Sequence, residues 1–229
     1  MTYMRPARSQ IDLWPSLGLE IDWDILFNSS KAGEHFQPPA VNLTALGACY
    51  EAPDHGFSGP LSTSISKHMT TGDIHEIFNA TFQSLGIPPR CEFNGGELRG
   101  FGVQMVTQDG VADIRNDAAR AYYYPVMNRL NLVVMVNTTA TRILWSSSGE
   151  SDGETASAVE VVSQGQLKTI GVKREAILST GAIRSPAILE HSGVGNPKIL
   201  AKQSIETVID LPSVGENFQD QTVMWKEGK

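Results

Sequence analysis

The sequence predicts a mixed α/β (α+β) protein, and three observations predict it. Apolar residues recur at helical spacing in two stretches of a loop-rich first half. Near residue 130 the chain turns into short β-branched runs separated by turn residues. Those runs give way to a segment with a helix start and a glycine stop. The bulk composition agrees, with 41% hydrophobic and 19% charged residues in 229, as in ordinary globular chains. A chain of this length buries a sizeable core without disulfide or metal staples, as one large domain or two small ones.

Taken in order, the first half is punctuated by Pro38-Pro39, Asp54-His55-Gly56, Gly59-Pro60, Pro88-Pro89 and Gly95-Gly96. Between these turns, residues 73–85 read as a helix, with Ile74, Ile77, Phe78, Phe82 and Leu85 on one face and Gly86 and Pro88 as the stop. Residues 112–130 read as a second helix, kinked at Pro125. Strands are expected at 131–136, 141–145, 156–163, 167–173 and 176–179. A helix then follows, with Ser185 as its N-cap, Pro186 in its first position and Gly193 as its left-handed C-terminal residue. A short helix at 197–202 and a strand at 206–211 complete the reading, and the end of the sequence reads as cut rather than finished.

The sequence excludes several classes of function. A net charge of −7 argues against a nucleic-acid partner. No apolar run approaches the roughly 20 residues of a membrane-spanning helix, and the first dozen residues lack the apolar core of a signal peptide. Asn-x-Ser/Thr sequons stand at Asn28, Asn42, Asn79 and Asn137, although such tripeptides also arise by chance. Cys49 and Cys91 could form one disulfide or remain two buried thiols, and the residues alone favour the thiols.

Catalytic signatures are scarce. No G-x-G-x-x-G, Walker or G-x-S-x-G sequence occurs, and Gly193-Val194-Gly195 reads as a helix cap and loop. None of His35, His55, His68, His75 and His191 has a metal-type partner at i+3 or i+4 on a helix, and there is no C-x-x-C. His68 and His75, with Asp73 and Glu76, could gather a cation or a general base, but solvated surface is the favoured reading. The carboxylate pairs Glu51 with Asp54 and Asp113 with Asp117 receive no catalytic role. The scattered Trp14, Trp23, Trp145 and Trp225 read as packing residues.

One stretch is distinctive. Gly181-Ala182-Ile183-Arg184-Ser185-Pro186-Ala187-Ile188-Leu189-Glu190-His191-Ser192-Gly193-Val194-Gly195 resembles the second signature of the glucose-methanol-choline (GMC) flavin oxidoreductases, glucose-oxidase-like and aryl-alcohol-oxidase-like. Met1-Thr2-Tyr3-Met4-Arg5-Pro6, followed by Asp12, resembles the closing part of the family's first signature. Arg120-Ala121-Tyr122 and Asn131-Leu132-Val133-Val134 are similar to the helix and strand before its adenine-side contact. Residues 211–221 are similar to the loop after the second signature, whereas 17–23 depart from the family's usual Gly-Asn-x-Gly-Trp loop.

The resemblance implies an incomplete FAD-binding domain of GMC type with a β-meander and part of the substrate-side domain. Residues 1–45 would be partial FAD domain and lid, 46–130 the substrate-side insertion, and 131–229 the meander, second-signature helix and following loop. Thr2, Ala140, Gly181 and Ala182 match cofactor-binding positions; no catalytic and no metal-binding residue is assigned. Cys49 and Cys91 are placed much like a disulfide of glucose-oxidase-like members. The implied function is FAD-dependent oxidation of a CH–OH group in an alcohol or sugar, by a secreted, glycosylated parent. The chain is then an internal fragment without the N-terminal dinucleotide motif and the C-terminal catalytic histidine, inactive by itself, with an unpaired sheet edge that limits its solubility. The alternative is a truncated non-catalytic paralogue or secreted binding module without flavin. Composition does not choose among sugar, aryl-alcohol and choline-like substrates, nor an oligomeric state.

Overall fold

The computed structural model describes residues 2–68, 73–147 and 153–220, and the chain divides into two compact units, Met1–Leu132 and Val133–Lys229. In the first unit a four-stranded sheet has the order β1 (Thr2–Tyr3), β4 (Met105–Val106), β3 (Leu61–Ser64), β2 (Glu34–Gln37). β2 and β3 run parallel, from Glu34 opposite Leu61 to Gln37 opposite Ser64, and β4 is antiparallel to both β1 and β3. Helices α1 (Arg8–Ile11), α2 (Trp23–Gly33), α3 (Val41–Thr44) and α4 (Asp73–Ser84) surround or extend it.

Local sequence explains these elements. Asp22 caps α2 by accepting the Ile25 N–H at 2.9 Å, and Trp23, buried, stacks on Phe27 one turn later. β2 alternates, with Glu34 and Phe36 inward and His35 outward. Phe36 joins Leu43, Ala48, Ile65 and Met105 in the core, against Tyr3, Leu46, Tyr50 and Val103. The end of α2 presses on the 54–60 loop so closely that a Cβ on Gly56 would lie 1.7 Å from the Lys31 carbonyl oxygen, so only glycine fits there. Cys49 and Cys91 are joined as a disulfide, with Cα atoms 5.0 Å apart. The pairing that the resemblance implied therefore holds, and the thiol reading does not.

The helix expected at 73–85 is α4, but the one at 112–130 is not formed as a unit. The hairpin β5 (Gln108–Asp109) and β6 (Ile114–Arg115) takes its first part, because the Asp109 carboxylate accepts the N–H groups of Val111 and Ala112 and Asp113 adopts φ 60°. Helical turns begin only where Asp117 caps the Arg120 N–H, as a π-turn over Ala119–Tyr123 and a 3₁₀ turn over Tyr124–Val126 containing Pro125.

The second unit is built on an antiparallel meander of β7 (Thr138–Ser147), β8 (Glu154–Ser163) and β9 (Gln166–Gly171). Gln164 and Gly165, at φ 53° and 73°, make the two-residue turn between β8 and β9. Helix α5 (Gly181–His191) follows, then β10 (Val194–Gly195), α6 (Pro197–Lys202) and β11 (Ile209–Asp210), with β10 and β11 parallel. Gly193 takes the expected left-handed conformation at φ 81°, and Asn196 caps α6 through the Lys198 N–H.

Five sequence expectations change from residue 131 onward. Gly193-Val194-Gly195 includes a short strand, and the strand expected at 206–211 shortens to its partner β11. Residues 131–136 and 176–179 form no ladder among the described residues, and Val133, Val136 and Ile177 stay about three-quarters exposed. Their β-branched composition calls for strand partners that the described residues do not supply. Helix α5 begins at Gly181, so Ser185 and Pro186 lie inside it. The Ser185 hydroxyl reaches back to the Thr180 N–H at 3.2 Å, a local cap that makes Ser-Pro look like a helix start.

Candidate cofactor site

Within the second unit, β7 and α5 enclose a groove of about 380 Å³ lined by residues 138–141 of the strand and by Thr180, Arg184, Ala187, Ile188 and His191. Its walls are fixed to each other through Ser192. The Ser192 hydroxyl accepts the Ile143 N–H at 2.8 Å and donates to the Ile188 carbonyl at 2.5 Å, and its own carbonyl accepts the Trp145 indole N–H at 2.6 Å. Ala140 lines the groove directly, half-buried and paired with Val161 of β8. Gly181 and Ala182 do not line it but follow Thr180 at its edge, both exposed. Gly181 has φ 88° and open space where a Cβ would sit, so its constraint is conformational and not one of crowding.

The donor set suits part of a nucleotide. Four small strand residues and the apolar Ala187 and Ile188 offer backbone edges and a flat contact, while threonine hydroxyls can reach sugar oxygens. The free N–H groups of the first turn of α5 and the Arg184 guanidinium are suited to an anion. Sequence reasoning assigned Ala140 and Gly181 to the cofactor but not Thr180, Arg184 or His191, which line the groove from the two ends of α5.

The first unit holds the fourth predicted position. Thr2 is exposed on β1, with Val106 opposite. Three residues on, Arg5 enters a buried ionic cluster that sequence reasoning missed. Glu34, fully buried, accepts Arg5 Nη2 at 2.8 Å, the Thr63 hydroxyl at 2.7 Å and the Gly56 N–H at 3.1 Å. His55 Nδ1 lies 3.1 Å from Glu34 Oε1, and its Nε2 lies 2.7 Å from Glu92 Oε2. Burial alone would lower the His55 pKa, but the hydrogen bonds and charges of Glu34 and Glu92 outweigh it and push it up to about 9. Burial works against the charge of Glu34 and Glu92 as well, yet the bonds from His55, Thr63 and backbone N–H groups hold both below the ordinary carboxylate value. Only three-dimensional proximity reveals this cluster, since its paired ionisable members are 21 to 37 residues apart.

The other candidate chemistry disperses. His68 pairs with Asp113 at the surface, 2.7 Å apart, and no group of three or more metal-ligating residues exists among the described residues. The side chains of Asp73 and His75, and all of Trp225, lie outside the described residues. No helix of the described residues is long and apolar enough to cross a membrane.

Comparison with known proteins bears on the family and the fold. Residues 1–223 match the family model for GMC oxidoreductases. The chain is 38% identical over 224 residues to the glucose oxidase-like protein fsoC of Humicola fuscoatra, covering 96% of this chain and 38% of that one. It is 32% identical over 222 residues to the GMC oxidoreductase family protein Mala s 12 of Malassezia sympodialis, covering 95% and 36%. Among solved structures it superposes on an FAD-dependent oxidoreductase from Chaetomium thermophilum with a TM-score of 0.87 at 26% identity, covering 96% of this chain and 37% of the other. On a fungal aryl-alcohol oxidase the TM-score is 0.86 at 28% identity, with the same coverage. The chain thus spans a little over a third of the length of the relatives it matches, and its mixed α/β architecture is theirs. With its second-signature helix intact and nearly every residue within the family model, the chain belongs to the glucose-methanol-choline oxidoreductase family.

Proposed function

We propose that the chain contributes part of the FAD site and of the substrate-side region of an enzyme that oxidises a CH–OH group of an alcohol or sugar. The observation that carries this is the groove of the second unit, which Ala140 lines and at whose edge Gly181, another cofactor position the resemblance implies, starts α5 beside Thr180. Bound FAD would supply the chemistry, accepting hydride from the substrate carbon. The chain's own part is to hold it: Ala140 and its neighbours by backbone, Thr180 by its hydroxyl, Gly181 by giving α5 its start, and Arg184 by charge. Thr2 on β1 is a further contact, and Ala182 an adjoining one. The domain reading of 1–45, 46–130 and 131–229 is kept within this proposal.

Because the 229 residues include no G-x-G-x-x-G cradle, turnover of alcohol by the chain alone is expected to be absent. An oxidising, secretory setting for the parent is supported by the Cys49–Cys91 disulfide and by the exposure of Asn28, Asn42, Asn79 and Asn137.

A titration of the purified chain with FAD, followed by flavin fluorescence, tests the reading. Saturable quenching that Gly181→Glu weakens is the expected result, since a side chain at φ 88° strains the start of α5. Absence of saturable binding by the wild-type chain overturns the view that this half-site recognises FAD on its own.

A further inference from the structure

The most densely charged place in the first unit is the buried cluster of Arg5, Glu34, His55 and Glu92, whose Glu92 also lines a surface groove beside Asp54 and Arg90. Arg5 and His55 balance Glu34 and Glu92, so the cluster carries no net charge once His55 is protonated. Both imidazole nitrogens face carboxylates, and only the imidazolium donates at both. Burying such a cluster is weak evidence for stability in itself, because apolar residues of equal volume often serve as well. The neighbouring core of Phe36, Leu43, Ala48, Ile65 and Met105 already supplies that burial.

What the charges add is direction. Arg5 is gripped from three distant segments: its backbone N–H donates to Asn94 Oδ1 at 2.9 Å, Nη1 to the carbonyls of Asp54 and Asn94, and Nη2 to Glu34. Asn94 is itself held, with its N–H donating to Glu92 Oε1 at 2.6 Å. The strand β1 that precedes Arg5 has only two residues in its ladder, too few to fix its own position.

We propose that Arg5, Glu34, His55 and Glu92 form a positioning clamp that holds the Thr2–Tyr3 strand in one place so that Thr2 can meet the cofactor. His55 is the link, joining the hold of Glu34 on Arg5 to the hold of Glu92 on the 92–94 turn. The four are positioning residues and act through the chain at Arg5. The inference rests on the FAD reading only through Thr2. The ionisable groups around His55 are Glu34 on β2, Glu92, Asp54, Arg5 and Tyr50, whose ring meets the imidazole edge-on, with Tyr3 beyond Arg5.

Two readouts on the 229-residue chain test it: amide exchange expressed as protection factors, and FAD affinity from flavin fluorescence. The variants are Glu92→Gln and the charge-balanced pair His55→Gln with Glu92→Gln, which removes one charge of each sign and keeps polar groups in place. In the pair, amides of Phe36 and Ile65 should stay protected while those of Tyr3 and Arg5 lose roughly tenfold in protection, and FAD affinity should weaken roughly tenfold. Glu92→Gln alone should show the same selective loss. In the wild type, protection at Arg5 and FAD affinity should both fall as pH rises through the His55 titration, and the balanced pair should lose that step. Unchanged protection at residues 3–5 in the balanced pair overturns the clamp, as does a loss spread evenly over the core amides. If the wild-type chain binds no FAD, the cofactor reading fails for this chain while the exchange result still decides the clamp.

Discussion

The two units solve the same problem, fixing a strand that carries a proposed cofactor contact, by different chemistry: β1 has two residues and β7 has ten. In the first, a charge-balanced interior grips Arg5 from segments up to 89 residues away. In the second, a hydrogen-bonded meander and one serine tie β7 to α5, while the apolar runs 131–136 and 176–179 remain without a ladder among the described residues. Long-range polar contacts make the first unit sensitive to single charges and to pH. Local backbone pairing makes the second tolerant of surface change.

The largest effect expected to separate the units is Glu34→Gln. It takes from Arg5 its carboxylate partner and leaves His55 with only Glu92, and loss of one partner from a buried ionic group costs about 3–5 kcal/mol. Hydrogen exchange should then show lost protection in β2 and β3 with β7–β9 retained. Equal loss in both units would erase the distinction.

Next in size is pH. His55 has its pKa raised, so its contribution is complete below the ordinary value of 6.5 and is lost as pH rises through about 9. Glu34 and Glu92 are lowered, so theirs is present above the ordinary 4.5 and is lost as pH falls through their folded values. The first unit should therefore be most stable between about pH 4.5 and 6.5, and its melting temperature should fall on the alkaline side by the equivalent of about 3 kcal/mol. A flat alkaline profile would mean that His55 is not held as an imidazolium.

Ser192→Ala sharpens the view of the second unit. It leaves the buried Ile143 N–H without its acceptor, a loss of about 1–3 kcal/mol that should speed amide exchange at Ile143 first. Smallest is Arg142→Ala. The Arg142–Glu160 pair is bidentate but lies at the surface, so thermal melting should not change measurably.

Much of the second unit was legible because its determinants are local. The β-branched strands 156–163 and 167–173, the Gln164-Gly165 turn and Gly193 each announce themselves within a few residues. Where local signals compete, sequence reading failed. Ser185-Pro186 imitates a helix start inside α5, and the carboxylate of Asp109 takes over the beginning of what reads as a helix at 112–130. The 131–136 and 176–179 runs have strand composition without partners, and composition cannot supply a partner.

By itself the sequence determined the family, through the fifteen residues from Gly181 to Gly195 and the Thr2–Pro6 segment, and with it the mixed α/β class and the proposed contacts at Thr2, Ala140, Gly181 and Ala182. Tertiary structure alone decided that Cys49 meets Cys91, that Thr180 and Arg184 share a groove with Ala140, and that His55 lies between Glu34 and Glu92. The reason is physical. Propensities and caps act over a single turn or strand, whereas the energy of a buried charge depends on neighbours that only folding brings together.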